Sequence, residues 1–375
     1  MGKLIMADER LVKLAKILLS YSTRVKPDDK VFIMAEDAAT PWIEVVATEA
    51  YKMGAIVHTL IELESVHLAK YRHGSQTAIQ EEDLFFKTVV DHADVLLTAW
   101  GSWNTKSRTN IDPEKIKESI QANEAIHRKY SERMGDGSLR WCGTQYPTHA
   151  DAQEAGMSLE EYQDFVFGAG YLDEEDPISE WLKIEKEQAR WVSYLNSKKE
   201  LQIVSAGTDM RVGIEGRSWI NCCGKVNFPD GEIFTSPIED HVNGYITFDF
   251  PGIYMGKEVE GIYLEVKDGK VIHARAKKGE DLLHALLTTD DGSGSFGEFA
   301  IGTNYHIRQF THNMLFDEKI GGTIHLALGD SMPEAGGKNQ SSLHWDMLCD
   351  MRDQGEIYAD GELFYRQGQF LEKVL

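Results

Sequence analysis

Cysteine is scarce: the 375 residues hold four, Cys142, the adjacent Cys222 and Cys223, and Cys349. They form no CxxC pair and no ladder of spacings, which excludes a disulfide-stapled scaffold and favours reduced thiols in a cytoplasm. Long apolar runs are missing too. No segment approaches the roughly 18 apolar residues of a membrane span. The opening "MGKLIMADERLVKLAKILLSYSTRVK" carries charges at both ends and a helical period, so it does not read as a secretory leader. Met6 stands where a myristoylation signal carries Ser or Thr. Positive charge is short, 39 Lys+Arg against 61 Asp+Glu, a formal net −22. Such a field repels phosphate backbones and anionic lipid, so neither nucleic acid nor a membrane surface is an expected partner; its plainest role is solubility. No GxGxxG or Walker pattern follows any strand, and no nucleotide site is read. G-x-S-x-G is absent and no cysteine has a histidine partner in context, which disfavours serine and cysteine hydrolases. Repeats and low-complexity segments are absent.

What is present is an ordinary globular composition, 42% apolar, 10% aromatic and 27% charged, in a chain long enough for two domains. Leu11, Leu14, Ala15, Leu18 and Leu19 lie on one face of a helix. "KVFIMAE" (30–36) reads as a short buried strand, and "AIVHTLIE" (55–62) and "ADVLLTAW" (93–100) as further strands. Between the first two, Thr40 as N-cap and Pro41 in the first turn open a helix that Gly54 closes. Alternation of strands and helices predicts a parallel sheet covered on both faces. From 113 to 195 the pattern is mostly helical, with a capping box at Ser158 and Glu161. After about 200 the texture changes to short alternating strands cut by Gly, Asp-Gly and Pro turns. Among these are "LQIVSAG", "DMRVGIEG", "GYITFDFP", "IYLEVKDGKVIHARA" and "GEIYADGELFYRQGQFL"; only "GEDLLHALL" (279–287) reads as helix. The expected architecture is therefore α/β. An N-terminal α/β domain with a parallel sheet and a helical extension spans 1–197. A β-rich α+β domain spans 198–375.

Four glycine-flanked segments of the second half carry potential metal ligands. An Asp-Gly turn in "NFPDGEIFTSP" delivers Glu232 to the start of a strand. "GEFAIGTN" carries Glu298. In "GGTIHLALG", His325 points away from the face of Ile324 and Leu326. "SSLHWDM" places His344 and Asp346 on one strand face, with Leu343, Trp345 and Met347 on the other. Three carboxylates and two imidazoles without a thiolate suit a catalytic Zn, Co or Mn centre better than a structural zinc knot. A bridging carboxylate can hold two ions about 3.5–4 Å apart. Each residue taken singly also has a structural reading, as a hydrogen-bonded strand histidine or a solvated glutamate.

These segments, in this order, resemble the aminopeptidase T / aminopeptidase S family of thermophilic-type metalloaminopeptidases. "AEDAATPW" (35–42), "LLTAWGSWNT" (96–105), "WCGTQYPT" (141–148), "QEAGMSLEEY" (153–162) and "GTDMRVGIEGRSWIN" (207–221) extend the resemblance over nearly the whole chain. It implies a cytoplasmic, homodimeric exopeptidase that removes N-terminal residues from small peptides by means of a metal-activated water. Its cofactors would be two divalent ions, Zn or Co, with Mn or Mg possible. Carried over by motif, Glu232, Glu298, His325, His344 and Asp346 are the metal ligands, and Glu298 is the bridge and a catalytic residue.

One position departs. Seven residues after the first ligand histidine the family carries an active-site tyrosine, and here Met332 stands in its place. A thioether cannot donate the phenol's hydrogen bond. Either another group such as Tyr305 substitutes, or the scaffold serves a different small-molecule reaction: amide hydrolysis, or ring-opening dioxygenation at a single iron. Retention of both Glu232 and Glu298 argues against the iron centre, which needs open positions. Cys222 and Cys223 read as packing, His241 as an exposed turn, and Trp100 and Trp103 as core. Arg211 and Arg217 either steer a substrate carboxylate or pair with acids.

Overall fold

The computed structural model describes residues 8–375, so the reading of Met6 and the opening Met-Gly lies outside the described residues. The chain divides into two compact units. One runs to Ser179 and takes back Gly224–Pro229; the other comprises Glu180–Cys223 and Asp230–Leu375. The change of texture at 197 falls between the helix Pro177–Leu195 and the strand Glu200–Ser205.

The first unit is built on a parallel five-stranded sheet. Its order is Ile56–Glu62, Lys30–Glu36, Val95–Trp100, Arg140–Gln145 and Asn227–Phe228, every neighbouring pair running in the same direction. Parallel neighbours require crossover connections, and the alternation of helix and strand supplies them. In the helix Glu9–Ile17, Leu11, Leu14 and Ala15 are buried and Asp8 caps the N-terminus through Arg10 N. The capping box at Ser158 and Glu161 is present.

Two expectations are corrected in this unit, and that of a mostly helical stretch from 113 to 195 is refined. The helix Thr40–Lys52 has Ala39 at its N-cap, and Thr40 is already helical; its hydroxyl donates back to the Asp37 carbonyl in the preceding 3₁₀ turn instead of capping forward. The stretch from 113 to 195 contains a strand, Arg140–Gln145, within its helices. That strand ends in Gly143, Thr144 and Gln145, which carry no alternating apolar signal. Gly143 is required there because a Cβ would sit 2.6 Å from the Trp100 ring and 2.8 Å from that of Trp141. Finally, Trp100 and Trp103 are not core: they are 45% and 62% exposed, and the Trp103 indole donates to Asp37.

The alternating segments of the second half pair, largely as the pattern predicts, into an antiparallel eight-stranded sheet running from Lys270–Arg275 at one edge to Gln369–Phe370 at the other. The helix Glu280–Leu287 interrupts them where expected. A second antiparallel sheet orders the strands His344–Asp350, Thr323–Gly329, Phe296–Gly302, Glu232–Thr235 and Ile220–Cys222. One face of this sheet, with Ile233, Phe299, Ile301, Ile324, Leu326, Trp345 and Met347, shares one apolar core with Leu201, Ile203, Met210, Val212 and Ile357 of the larger sheet. Because side chains alternate along a strand, burying that face commits the intervening residues to the other. Those intervening residues are Glu232, Glu298, His325, His344 and Asp346.

Candidate metal centre

Each of the five residues arrives by strand register. Glu298 lies opposite Ala327, and Ala327 lies opposite Asp346 on the next strand; Gly329 lies opposite His344, and Gly302 opposite Glu232. The positions between the polar side chains are thus Ala or Gly, which leaves room above the sheet for long side chains to lean together. Gly231 makes the entry to the Glu232 strand possible. It has φ +124°, and a Cβ there would lie 2.7 Å from Asn304 Cβ.

The five side chains form two groups of three that share Glu298. His325 Nε2 is 3.5 Å from Glu232 Oε2 and 3.6 Å from Glu298 Oε1. His344 Nε2 is 3.4 Å from the other oxygen of Glu298, Oε2, and 3.6 Å from Asp346 Oδ1. Within each group the donor atoms lie within 4.8 Å of one another, so each group could hold a metal ion. Backbone carbonyls set the direction of both imidazoles: His325 Nδ1 is 3.1 Å from Glu318 O, and His344 Nδ1 is 3.1 Å from Asp330 O. A carbonyl accepts only from N–H, which leaves each Nε2 turned toward the carboxylates. Glu232, Glu298 and His325 are buried, whereas His344 reaches solvent.

A cation fits this donor set on an observation of unsatisfied atoms. Glu232 Oε2 and Asp346 Oδ1, one in each group, are buried and accept no hydrogen bond. Buried polar atoms are almost always partnered, and a coordinated ion would satisfy both. The protonation pattern points the same way. Burial opposes charge on the imidazoles, and the surrounding carboxylates overcome it, raising His325 to about 9 and His344 to about 11. Burial likewise opposes charge on Glu298, yet the two imidazoles together hold its carboxyl down at about 2.

Further groups that pattern alone does not reveal surround the donors. Lys319 is completely buried, its Nζ 3.6 Å from Glu232 Oε1 and in contact with Glu318 Oε1. Burial opposes its charge, and the Glu318 and Glu232 carboxylates outweigh that and raise its pKa. Gln188 Nε2 donates to the backbone carbonyls of Glu232 and Cys222, tying two strands together at the site. A third group, Cys222, Asp230 and Glu232, also gathers donors within 4.8 Å; burial pushes the Cys222 thiol well above its ordinary range. The one signal for Lys319 in the sequence is its place beside Glu318, seven and six residues ahead of His325, and that is indistinguishable from a solvated pair.

Met332 belongs to an apolar cluster with Phe234, Ala300, Ala335, Ile220 and Cys222. Phe234 and Ala300 alternate with the core residues of their strands, so the cluster lies on the ligand-bearing face. Tyr305 is engaged elsewhere, its hydroxyl donating to the Gly368 carbonyl at 2.9 Å. Arg211 pairs with Glu200 and Arg217 with Glu239, each at 2.6 Å. His241 is exposed beside Asp240.

Carboxylates and imidazoles thus converge above one β-sheet of the second unit, a donor set that could hold metal ions. The chain belongs to the thermophilic metalloprotease (M29) family, whose model matches residues 7–370. It is 27% identical to Aminopeptidase 2 of Geobacillus stearothermophilus, over 97% of this chain and 98% of that protein. Among solved structures it is similar to wild-type AmpT from Thermus thermophilus, with TM-score 0.85 and 23% identity over 96% of this chain and 99% of that one. It is also similar in fold to 2,5-dihydroxypyridine dioxygenase from Pseudomonas putida KT2440, with TM-score 0.58 and 14% identity over 96% and 97% of the two chains.

Proposed function

We propose that this chain is a metal-dependent aminopeptidase that removes N-terminal residues from peptides. Membership of a metalloprotease family and relatives named as aminopeptidases support the class. One observation carries the site: Glu298 turns Oε1 to His325 and Oε2 to His344, as a carboxylate bridging two cations would. Glu232, Glu298 and His325 would hold one divalent ion; Glu298, His344 and Asp346 would hold the other. A carboxylate and imidazole set accepts Zn, Co or Mn, and Mg less readily. Bound there, the ions supply Lewis acidity that activates water and polarises a carbonyl.

The protein's own contribution is position. The carbonyls of Glu318 and Asp330 orient the imidazoles, and the buried sheet face fixes the spacing of the carboxylates. The Met332–Phe234–Ala335 cluster presents an apolar, non-donating surface on the same side. Neither Met332 nor Tyr305 offers a phenol to that face. The family resemblance further implies a homodimer, and four free cysteines suit a reducing cytoplasm. Among the described residues no helix is long and apolar enough to cross a membrane.

The alternative of a single-iron ring-opening dioxygenase, raised by Met332, gains only a likeness of fold at 14% identity. Five donors in two groups exceed the two histidines and one carboxylate of such a centre. The deciding experiment is release of free amino acids from leucyl and arginyl anilides. Activity is expected to vanish with chelator and to return with Zn or Co. Absence of turnover across a peptide panel with reconstituted metal, together with oxygen uptake on a hydroxypyridine after anaerobic iron loading, would reverse the choice.

A further inference from the structure

Lys319 is an unusual neighbour for a cation site. Its side chain is 0% exposed and its Nζ lies 3.6 Å from Oε1 of Glu232. An ammonium taken out of water is costly unless paired, and an apolar residue of similar volume would fill a purely structural position at lower cost. Here the pairing divides the work of two adjacent residues. The Glu318 side chain anchors the ammonium, while the Glu318 backbone carbonyl lies on His325 Nδ1. Glu232 in turn is split between its two oxygens. Oε1 faces Lys319; Oε2 takes no hydrogen bond and faces His325 Nε2 at 3.5 Å. A carboxylate free to rotate could chelate one ion through both oxygens, or favour the third group, which Glu232 already shares with Cys222 and Asp230.

We propose that Lys319 is a positioning residue for the metal centre: by holding Glu232 through Oε1, it fixes Oε2 as the single donor that this side chain offers to the ion shared with His325 and Glu298. The inference rests on the assignment of those three residues as one metal site. It identifies the Glu318–Lys319 pair as the device that orients both Glu232 and His325 from one turn of chain, between the helix Met314–Asp317 and the strand Thr323–Gly329.

The test is calorimetric titration of metal-stripped protein with Zn, in wild type, Lys319→Met, Lys319→Gln and Lys319→Arg, with Asp346→Asn marking the other site. Loss of an outer partner of a metal ligand typically lowers affinity about 10- to 100-fold. Lys319→Met is expected to weaken one of the two binding events by that factor and to leave the event weakened in Asp346→Asn within about threefold of wild type. Lys319→Arg, which keeps the cation, is expected to recover most of the lost affinity. Should the methionine variant fail to fold by circular dichroism, the glutamine variant, which keeps a donor amide but no charge, carries the same comparison. Equal affinities for both ions in the neutral variants and wild type would overturn the role of Lys319. Absence of Zn binding in wild type would instead overturn the metal site itself, so the two failures are distinguishable. A uniform loss at both events, not rescued by arginine, would mark Lys319 as merely structural and also overturn the proposal.

Discussion

Glu298 and His344 meet across an intervening strand, with Oε2 3.4 Å from Nε2. The strand between them, Thr323–Gly329, makes this possible by presenting Ala327 opposite Glu298 and Gly329 opposite His344. Convergence of the two groups therefore depends on small residues as much as on the ligands.

Ala327→Leu tests that dependence. Ala327 is fully buried on the ligand-bearing face, between Glu298 and Asp346 in register. A larger side chain there is expected to part the carboxylates. Overpacking costs about 1–3 kcal/mol, so thermal denaturation is expected to register the strain. Zn titration is expected to lose the event that involves Asp346 while a folded spectrum is retained. Unchanged binding would place the metal away from this sheet.

Metal loading should be pH-linked, and the sign follows from the shifts. His325 and His344 are raised to about 9 and about 11 in the metal-free protein, by carboxylates that outweigh burial. Both imidazoles thus carry protons at neutral pH that an ion must displace. Zn affinity is expected to rise between pH 7 and 9, with protons released on binding, as read from calorimetry in buffers of different ionisation enthalpy. The metal-free fold shows the converse. Its stabilisation by the charged imidazoles is complete below their unfolded value of about 6.5 and is lost as pH climbs through 9 and 11. A Zn affinity independent of pH over this range would contradict the assignment of these imidazoles.

Met332→Tyr addresses the departure from the family pattern. Tyr305 donates to Gly368 and Met332 packs with Phe234 and Ala335, so neither position offers a phenol to the site. Restoring an oxyanion donor is expected to raise kcat on peptide anilides, by up to about 10²-fold, with a smaller change in KM. Activity found only in the tyrosine variant would mean that the native chain does not hydrolyse peptides.

Much of the centre was legible in sequence because strands enforce a period of two. Once Ile324 and Leu326 are buried, His325 must face away, and the same logic gives His344 and Asp346 from Trp345 and Met347. What the pattern could not convey is pairing. Nothing local reveals that Ala327 stands between Glu298 and Asp346, or that Lys319 is buried, because a Glu-Lys dipeptide ordinarily sits in water. The Arg140–Gln145 strand was hidden for a related reason. Its polar end is buried by parallel neighbours, not by its own alternation, and parallel partners lie far away in sequence. Trp100 and Trp103 depart in the opposite sense: large aromatic residues at and beyond the C-terminal end of a central strand lie outside the sheet's cover, and here they are exposed.

The sharing of one carboxylate by two cations is tested most directly by metal content. Wild-type protein, Glu298→Ala and Asp346→Ala, each stripped and reloaded with Zn, are to be compared by mass spectrometry of bound metal per chain. Two ions are expected in wild type, about one in Asp346→Ala, and less than one in Glu298→Ala, since only Glu298 belongs to both groups. Equal losses in the two variants, or full occupancy without Glu298, would contradict a shared centre.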